Sequence, residues 1–287
     1  MADRQRAGTR VAARQSRILG GGSAVRSTAI AAVSTAAFFG LLAFLVVSSP
    51  GWPEVREQFF DGDVFGESLA DIAPRLLLNI RIFLIAEAFI LVAGLGIALL
   101  RSLPGPVFFP VRLLSIAYTD FFRGVPTILV IYLFGFGVPA LDLAGVPNSA
   151  YFWGVVSLVL VYSAYVSEVY RAGIESIHPS QEAAARSLGL SRAKALRFVV
   201  VPQAVRRVIP PLLNDFIGLQ KDTALVGTLG VVEAFNQAQI DSNATFTFGS
   251  YLAAAVLFVA LTIPLARLTD WLIVRDRRRR QATGALT

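Results

Sequence analysis

Six stretches of this chain are apolar for long enough to cross a bilayer, which takes roughly 20 mostly apolar residues in a helix. The first, 28–47, contains no charge, and the second, 76–100, is interrupted by Arg81 and Glu87. The third, 115–138, has Asp120 and Arg123 near its start, whereas the fourth, 143–167, is uncharged. Pro210, Pro211, Asp215, Lys221 and Asp222 break the fifth, 208–232; the sixth, 244–266, is again free of charge. The pattern predicts an all-α integral membrane protein with six transmembrane helices.

The polar connections alternate in sign. Residues 1–27 hold Arg4, Arg6, Arg10, Arg14, Arg17 and Arg26. The next connection, 50–75, sets Arg56 and Arg75 against Glu54, Glu57, Asp61, Asp63, Glu67 and Asp71. Arg101 and Arg112 flank the third, and 171–207 carries Arg171, Arg186, Arg192, Lys194, Arg197, Arg206 and Arg207. Residues 139–142 and 233–243 offer Asp142, Glu233 and Asp241 with no basic residue, and Arg275 and Arg277 to Arg280 follow the last span. Lys and Arg near span ends mark the cytoplasmic side, so a multi-pass chain in the plasma membrane with both termini cytoplasmic is expected. The first apolar run exceeds the roughly 7–15 residues of a signal-peptide core, and Ser48-Ser49-Pro50-Gly51 is a poor cleavage site. An uncleaved span is the expectation.

The longest basic connection has its own local order. Ser180 follows Pro179 and suits a helix N-cap, and Glu182 falls in the first turn, where the helix dipole favours an anion. Ala183, Ala184 and Ala185 continue a short helix, and Gly189 is placed to end it in a left-handed residue. Ser191 can cap a second helix, which Pro202 is expected to stop. Two short helices meeting at a glycine make an elbow, and small alanine side chains permit close approach by a partner surface.

Composition narrows the chemistry. Of 287 residues, 55% are hydrophobic and 16% charged, against about 25% charged in soluble domains. The net charge of +7 lies at the ends of apolar runs, which favours membrane lipid over nucleic acid as its counterpart. With no cysteine, disulfides, thiol catalysis and thiolate metal sites are excluded, and the single histidine, His178, cannot form a metal cluster by itself. A phosphate-binding loop needs Gly-x4-Gly-Lys-Ser/Thr, yet the only lysines, Lys194 and Lys221, follow Ala193 and Gln220. ATP must therefore be hydrolysed elsewhere. No cofactor, metal or catalytic residue is expected.

The connection resembles the signature loop of permease subunits in ABC importers: Glu-Ala-Ala, three residues, Gly, nine residues, then aliphatic-x-aliphatic-Pro. Counted from Gly189, the triplet falls on Ala183, Ala184 and Ala185, and Val199, Val201 and Pro202 take the terminal places. Glu182 lies one residue early, about 100° around the helix. Asp120-Phe121-Phe122-Arg123-Gly124-Val125-Pro126, Tyr165 to Ile174, Pro210 to Ile217 and Lys221 to Val226 are similar to segments of the polar amino acid branch. The chain is thus identified as resembling the binding-protein-dependent transport inner-membrane component family.

That resemblance implies a five-helix type I permease core with a coupling-helix loop, here preceded by one extra N-terminal helix. It implies a second permease subunit, identical or related, a cytoplasmic ABC ATPase dimer and an extracytoplasmic solute-binding protein. The ATPase-coupling loop would comprise Glu182, Ala183, Ala184, Ala185, Arg186, Gly189 and Pro202. The expected divisions are a basic tail (1–27), the extra helix and an extracytoplasmic loop (28–75), the core (76–274) and a second basic tail (275–287). A permease for another small polar solute stands as the alternative to one for polar amino acids.

Charges inside spans are functional candidates because they are costly there. Asp215 and Asp222, seven apart, share a helix face, and with Asn214, Lys221 and Thr223 they are candidates for the translocation pathway. The competing reading has Lys221 and Asp222 merely pairing with other helices. Glu168 with Arg171, and Asp120 with Arg123, are each spaced for structural pairing within a helix; Glu87 has no visible partner. His178 reads as solvated surface, and Arg277 to Arg280 as contacts to anionic lipid. An ion-coupled transporter would show matching broken helices in two halves, a membrane enzyme a catalytic motif, and a scaffold no elbow. None of these fits.

Overall fold

The computed structural model describes residues 21–103 and 105–284, so Arg4, Arg6, Arg10, Arg14 and Arg17 lie outside the described residues. The chain divides into two compact units, residues 1–58 and 59–287. In the first, α1 (Gly21–Val47) leads to α2 (Trp52–Phe59). From Arg26 to Val47 every side chain of α1 is exposed, Phe38, Phe39, Leu41 and Phe44 among them. Apolar on all sides, this helix suits lipid rather than water as its solvent.

The second unit starts with α3 (Gly62–Arg101), capped by Asp61, whose carboxylate accepts from the amides of Asp63 (2.9 Å) and Val64 (3.1 Å). The predicted third span is not one helix. α4 (Phe109–Gly124) meets α5 (Thr127–Tyr132) at a bend of 106°. Pro126 forces the residue before it out of the helical region, and Val125 is accordingly extended (φ −93°, ψ 132°). A π turn at Leu133–Gly137 continues α5 into the short α6 (Val138–Ala140).

α7 (Ala150–Glu175) starts seven residues later than the apolar run, because its cap is Ser149, which accepts from Phe152 N at 3.3 Å. Then come α8 (Pro179–Ser187), α9 (Arg192–Ala195), a π turn (Leu196–Val200) and α10 (Val201–Asp222). A 3-10 segment (Thr223–Leu229), α11 (Ala234–Thr245) and α12 (Gly249–Gly284) complete the chain. No strand occurs among the described residues. Among the described residues, four helical stretches are long and apolar enough to cross a membrane: Arg26–Val47, Trp52–Arg101, Ala150–Glu175 and Gly249–Arg275. The bent pair α4 to α6 raises this to five. The expected fifth span is instead α10 plus the 3-10 segment, and its Arg206, Arg207, Asp215, Lys221 and Asp222 keep it out of that group.

α7 is the hub of the second unit, packing on α3, α4, α5 and α10. Lipid offers no hydrophobic drive between helices, so close packing and polar contacts must hold them. The buried face of α7 is rich in small residues, Gly154, Ser157, Ser163, Ala164, Ser167 and Gly173. Around it Ile82, Ile90, Leu158, Val161, Leu219 and Val226 are fully enclosed. Leu84, Phe89 and Val92 of α3, Leu133 and Phe136 of the π turn, and Val256 and Val259 of α12 point outward. The large outward apolar side chains are what a bundle solvated by hydrocarbon requires.

Candidate functional site

The elbow is built, but differently from its sequence signals. His178, not Ser180, caps α8: its Nδ1 accepts from Ser180 N (3.2 Å), and Pro179 takes the first helical place. Pro tolerates that place because the amide it lacks would be unpaired anyway. Gly189 is left-handed (φ +87°) as expected. The Leu190 amide donates to Ala185 O (3.3 Å) and the Gly189 amide to Arg186 O (3.0 Å), the bond pair of a Schellman ending. Ser191 caps the second arm through its hydroxyl (Lys194 N, 3.4 Å) and carbonyl (Ala195 N, 2.9 Å).

Pro202 does not stop that arm. The π turn at Leu196–Val200 shifts the bonding register just before it, and Pro202 enters the first turn of α10, where its missing donor costs little. The elbow is therefore one short helix set against a second arm continuous with α10. Its base is seated by Ile177, Val200 and Ala204, buried together, and the Arg207 guanidinium donates to Ser176 O. A Cβ on Gly173 would lie 2.0 Å from Val208 Cγ1, so α7 and α10 touch there only because Gly173 lacks one. Ala185 packs inward; Ala183, Ala184, Arg186 and Gly189 are exposed, and Glu182 is half-buried. Leu188, 86% exposed, stands at the bend.

Beside the elbow's base a cavity of about 420 Å³ lies between α7 and α10, lined by Arg123, Tyr165, Glu168, Arg207 and Asp215 among others. Arg101 and Arg171 both grip Glu168, the latter at 2.6 Å, and Arg171 also reaches Glu175 at 2.5 Å. Arg123 lies over the Tyr165 ring (5.8 Å), and among the described residues it forms no ion pair with Asp120, which is exposed. Asp215 Oδ2 is buried without a hydrogen-bond partner among the described residues. Glu87 interacts electrostatically with Asp215 and Tyr170. Both signs of charge thus line one open cavity.

The candidate pathway residues separate. The seven-residue spacing does bring Asp215 and Asp222 to the α7 side, where the Tyr162 hydroxyl donates to Asp222 Oδ2 at 2.8 Å. Asn214 is exposed. Lys221 is exposed too and lines a mostly apolar groove against α12 with Phe235, Tyr251 and Phe258. Thr223 is fully buried. Tyr162→Phe removes the hydroxyl that donates to Asp222. Polar contacts between membrane helices average about 0.6 kcal/mol and reach about 1.7, so a loss within that range is expected, read as a lower melting temperature of the purified protein in detergent.

Thr223 belongs to a network that the spacing of residues did not disclose. Glu233, fully buried, caps α11 by accepting from Phe235 N (2.9 Å) and Asn236 N (2.8 Å), and it accepts from Asn79 Nδ2 at 2.7 Å. Asn79 also donates to Thr223 Oγ1 (3.2 Å) and accepts from Ala234 N (3.1 Å). The network thereby ties α3 to the start of the 3-10 segment and to the start of α11. Burial pushes the Glu233 carboxyl up, while the three donated hydrogen bonds pull it back down.

Residues 90–278 match the family described as "Binding-protein-dependent transport system inner membrane component". The chain belongs to this family. Its relatives include "Probable glutamine ABC transporter permease protein GlnM" of Bacillus subtilis, 36% identical over 63% of this chain and 82% of that protein. "Glutamate transport system permease protein GluC" of Corynebacterium glutamicum is 33% identical over 72% and 97%. Among solved structures, an "amino acid ABC transporter with histidines" superposes with a TM-score of 0.64 at 30% identity, covering 71% of this chain and 94% of that one. The MetNI methionine ABC transporter shares the fold alone, at 17% identity and a TM-score of 0.56 over 71% of this chain and 95% of that one. As a member of this family the chain is a multi-pass permease subunit and not an enzyme. The elbow, the cavity and the Glu233 network all lie in a region that the family match covers, apart from Asn79.

Proposed function

We propose that this chain is the permease subunit of an ABC importer for polar amino acids, coupled to a cytoplasmic ABC ATPase dimer through residues 180–202. The observation that supports it best is the exposed glycine-hinged elbow, with Ala183, Ala184, Arg186 and Leu188 outward and its second arm running straight into α10. A helix pair that turns this exposed face outward among the described residues is suited to docking another subunit. The names of the relatives support the substrate class, and so does the cavity, whose Arg123 and Arg207 oppose Asp215 and Glu168. Such a pairing suits the carboxylate and ammonium of an amino acid.

In this reading the elbow and both termini are cytoplasmic, and Asp215 lies on the pathway with Asn214, Lys221, Asp222 and Thr223 near it. A second permease subunit, identical or related, completes the channel, and an extracytoplasmic binding protein delivers the substrate. Residues 28–75 are an added helix and outer loop before the core at 76–274, and the tails 1–27 and 275–287 meet anionic lipid. The test is uptake by the reconstituted complex with its binding protein and ATP. Transport of a polar amino acid is expected; transport confined to sugars or metal ions refutes the substrate class. Uptake driven by an ion gradient without ATP refutes the importer.

A further inference from the structure

At the end of the second unit opposite the elbow, one residue breaks both the packing and the backbone rules. Phe246, the C-cap of α11, has φ +56° and ψ 28° and is 85% exposed. A bulky side chain in the left-handed region is a true outlier, and glycine or asparagine is the ordinary choice for this cap. The turn is fixed on either side: Ser242 Oγ donates to Thr247 O (2.6 Å), and Thr245 and Thr247 hydroxyls meet at 3.0 Å. Phe246 is held outward by its surroundings. Strain of this kind clusters where a residue serves binding.

Its neighbours extend the patch. Phe59 and Phe248 stack at 5.1 Å, and Phe60 is also exposed. Residue 249 lies beside α3's first turn, since a Cβ on Gly249 would sit 3.3 Å from Val64 Cγ1, and Ser250 bonds Ser68 at 2.8 Å. Exposed acids, Asp63 and Glu67, stand on that same stretch of α3.

Length then separates lipid from protein as the occupant. α3 has 40 residues, about 60 Å at 1.5 Å per residue. A bilayer is about 40–45 Å thick with its headgroups. Even at a tilt of about 40°, the extreme for membrane helices, α3 covers about 46 Å of the normal. With Arg101 at the inner edge of the hydrocarbon, α3's first turn stands outside the headgroup layer, and the aromatic tip beside it does too. An acidic rim around exposed aromatics also suits a basic-rimmed protein recess better than an anionic lipid surface.

Resting on the importer reading, we infer that Phe246, backed by Phe59, Phe60 and Phe248, is the knob that docks the extracytoplasmic solute-binding protein. Aromatic anchors of this type dominate interface energies.

The experiment titrates purified binding protein against the complete importer in proteoliposomes, comparing the native chain with Phe246→Ala and Phe246→Gly. Both variants are expected to raise the half-saturating concentration of binding protein about tenfold or more while keeping maximal uptake. Phe246→Gly, freed of strain, is expected to melt no lower than the native chain. An unchanged half-saturation overturns the proposal. So does a Phe246→Trp chain whose fluorescence is quenched by brominated lipid and not by acrylamide, which would make the patch a membrane anchor. If the native complex shows no dependence on a binding protein, the importer reading fails first and this proposal with it.

Discussion

Replacing Gly189 with valine lowers uptake by the assembled importer at least tenfold while the chain still inserts into the membrane. Nothing lies within 4 Å of a Cβ built on Gly189, so the effect is one of backbone and not of crowding. At φ +87° an L side chain costs about 1–2 kcal/mol, and branching at Cβ adds to it. The turn's cheapest relief is to abandon the Schellman bonds from Leu190 and Gly189, which swings α8 and exposed Leu188 away from their setting. Because about 1.4 kcal/mol of lost coupling is a factor of ten, transport is expected to fall although the bundle itself is untouched. Gly189→Asn, better tolerated in the left-handed region, should retain much of the activity. The measurement is ATP-driven uptake normalised to the amount of chain in the membrane. Native uptake by Gly189→Val would show that the bend is not where coupling occurs.

Glu233→Ala is expected to be the most damaging single change to stability. It strands the amides of Phe235 and Asn236 and takes from Asn79 Nδ2 its shorter acceptor, leaving that side chain only Thr223 Oγ1 and the Ala234 amide. A buried donor without a partner costs about 1–3 kcal/mol, so several kcal/mol are at stake, comparable with the total stability of many proteins. Glu233→Gln should fall between the two, since both oxygens now accept and an amide must turn its NH2 toward one of the three donors. Asn79→Ala should cost a similar amount, and the double substitution much less than the sum, as expected for groups in one network. Melting temperature in detergent, followed by size-exclusion elution, reads all four. A Glu233→Ala chain that melts with the native one would remove the network from any structural role.

The apolar runs and the elbow were legible because both are local. Runs free of charge need no partner to be recognised, and Gly189 announces a left-handed turn by its identity. The bend between α4 and α5 was equally local, since Pro126 alone makes Val125 extended, but the apolar run passes through it unbroken. Pro202 misled for the opposite reason: a proline normally ends a helix, and the π turn that accommodates it has no sequence signal of its own. His178 took the cap from Ser180 because Pro179 already supplies the first helical position.

Glu233 was the hardest to see. Its place ahead of Ala234-Phe235-Asn236 fits an N-cap, yet the side chain that completes its shell, Asn79, is 154 residues away. Distance along the chain likewise hid Tyr162 as the partner of Asp222 and Arg101 as that of Glu168, separated by 60 and 67 residues.

The continuity of the elbow's second arm has a mechanical consequence. From Arg192 to Asp222 the backbone stays helical through the π turn, a rod of about 46 Å at 1.5 Å per residue. A displacement of the elbow is therefore handed along one continuous helical backbone, past Pro210 and Pro211, toward Asp215 and Asp222. The compliant joint of this lever is the five-residue wide turn at Leu196–Val200.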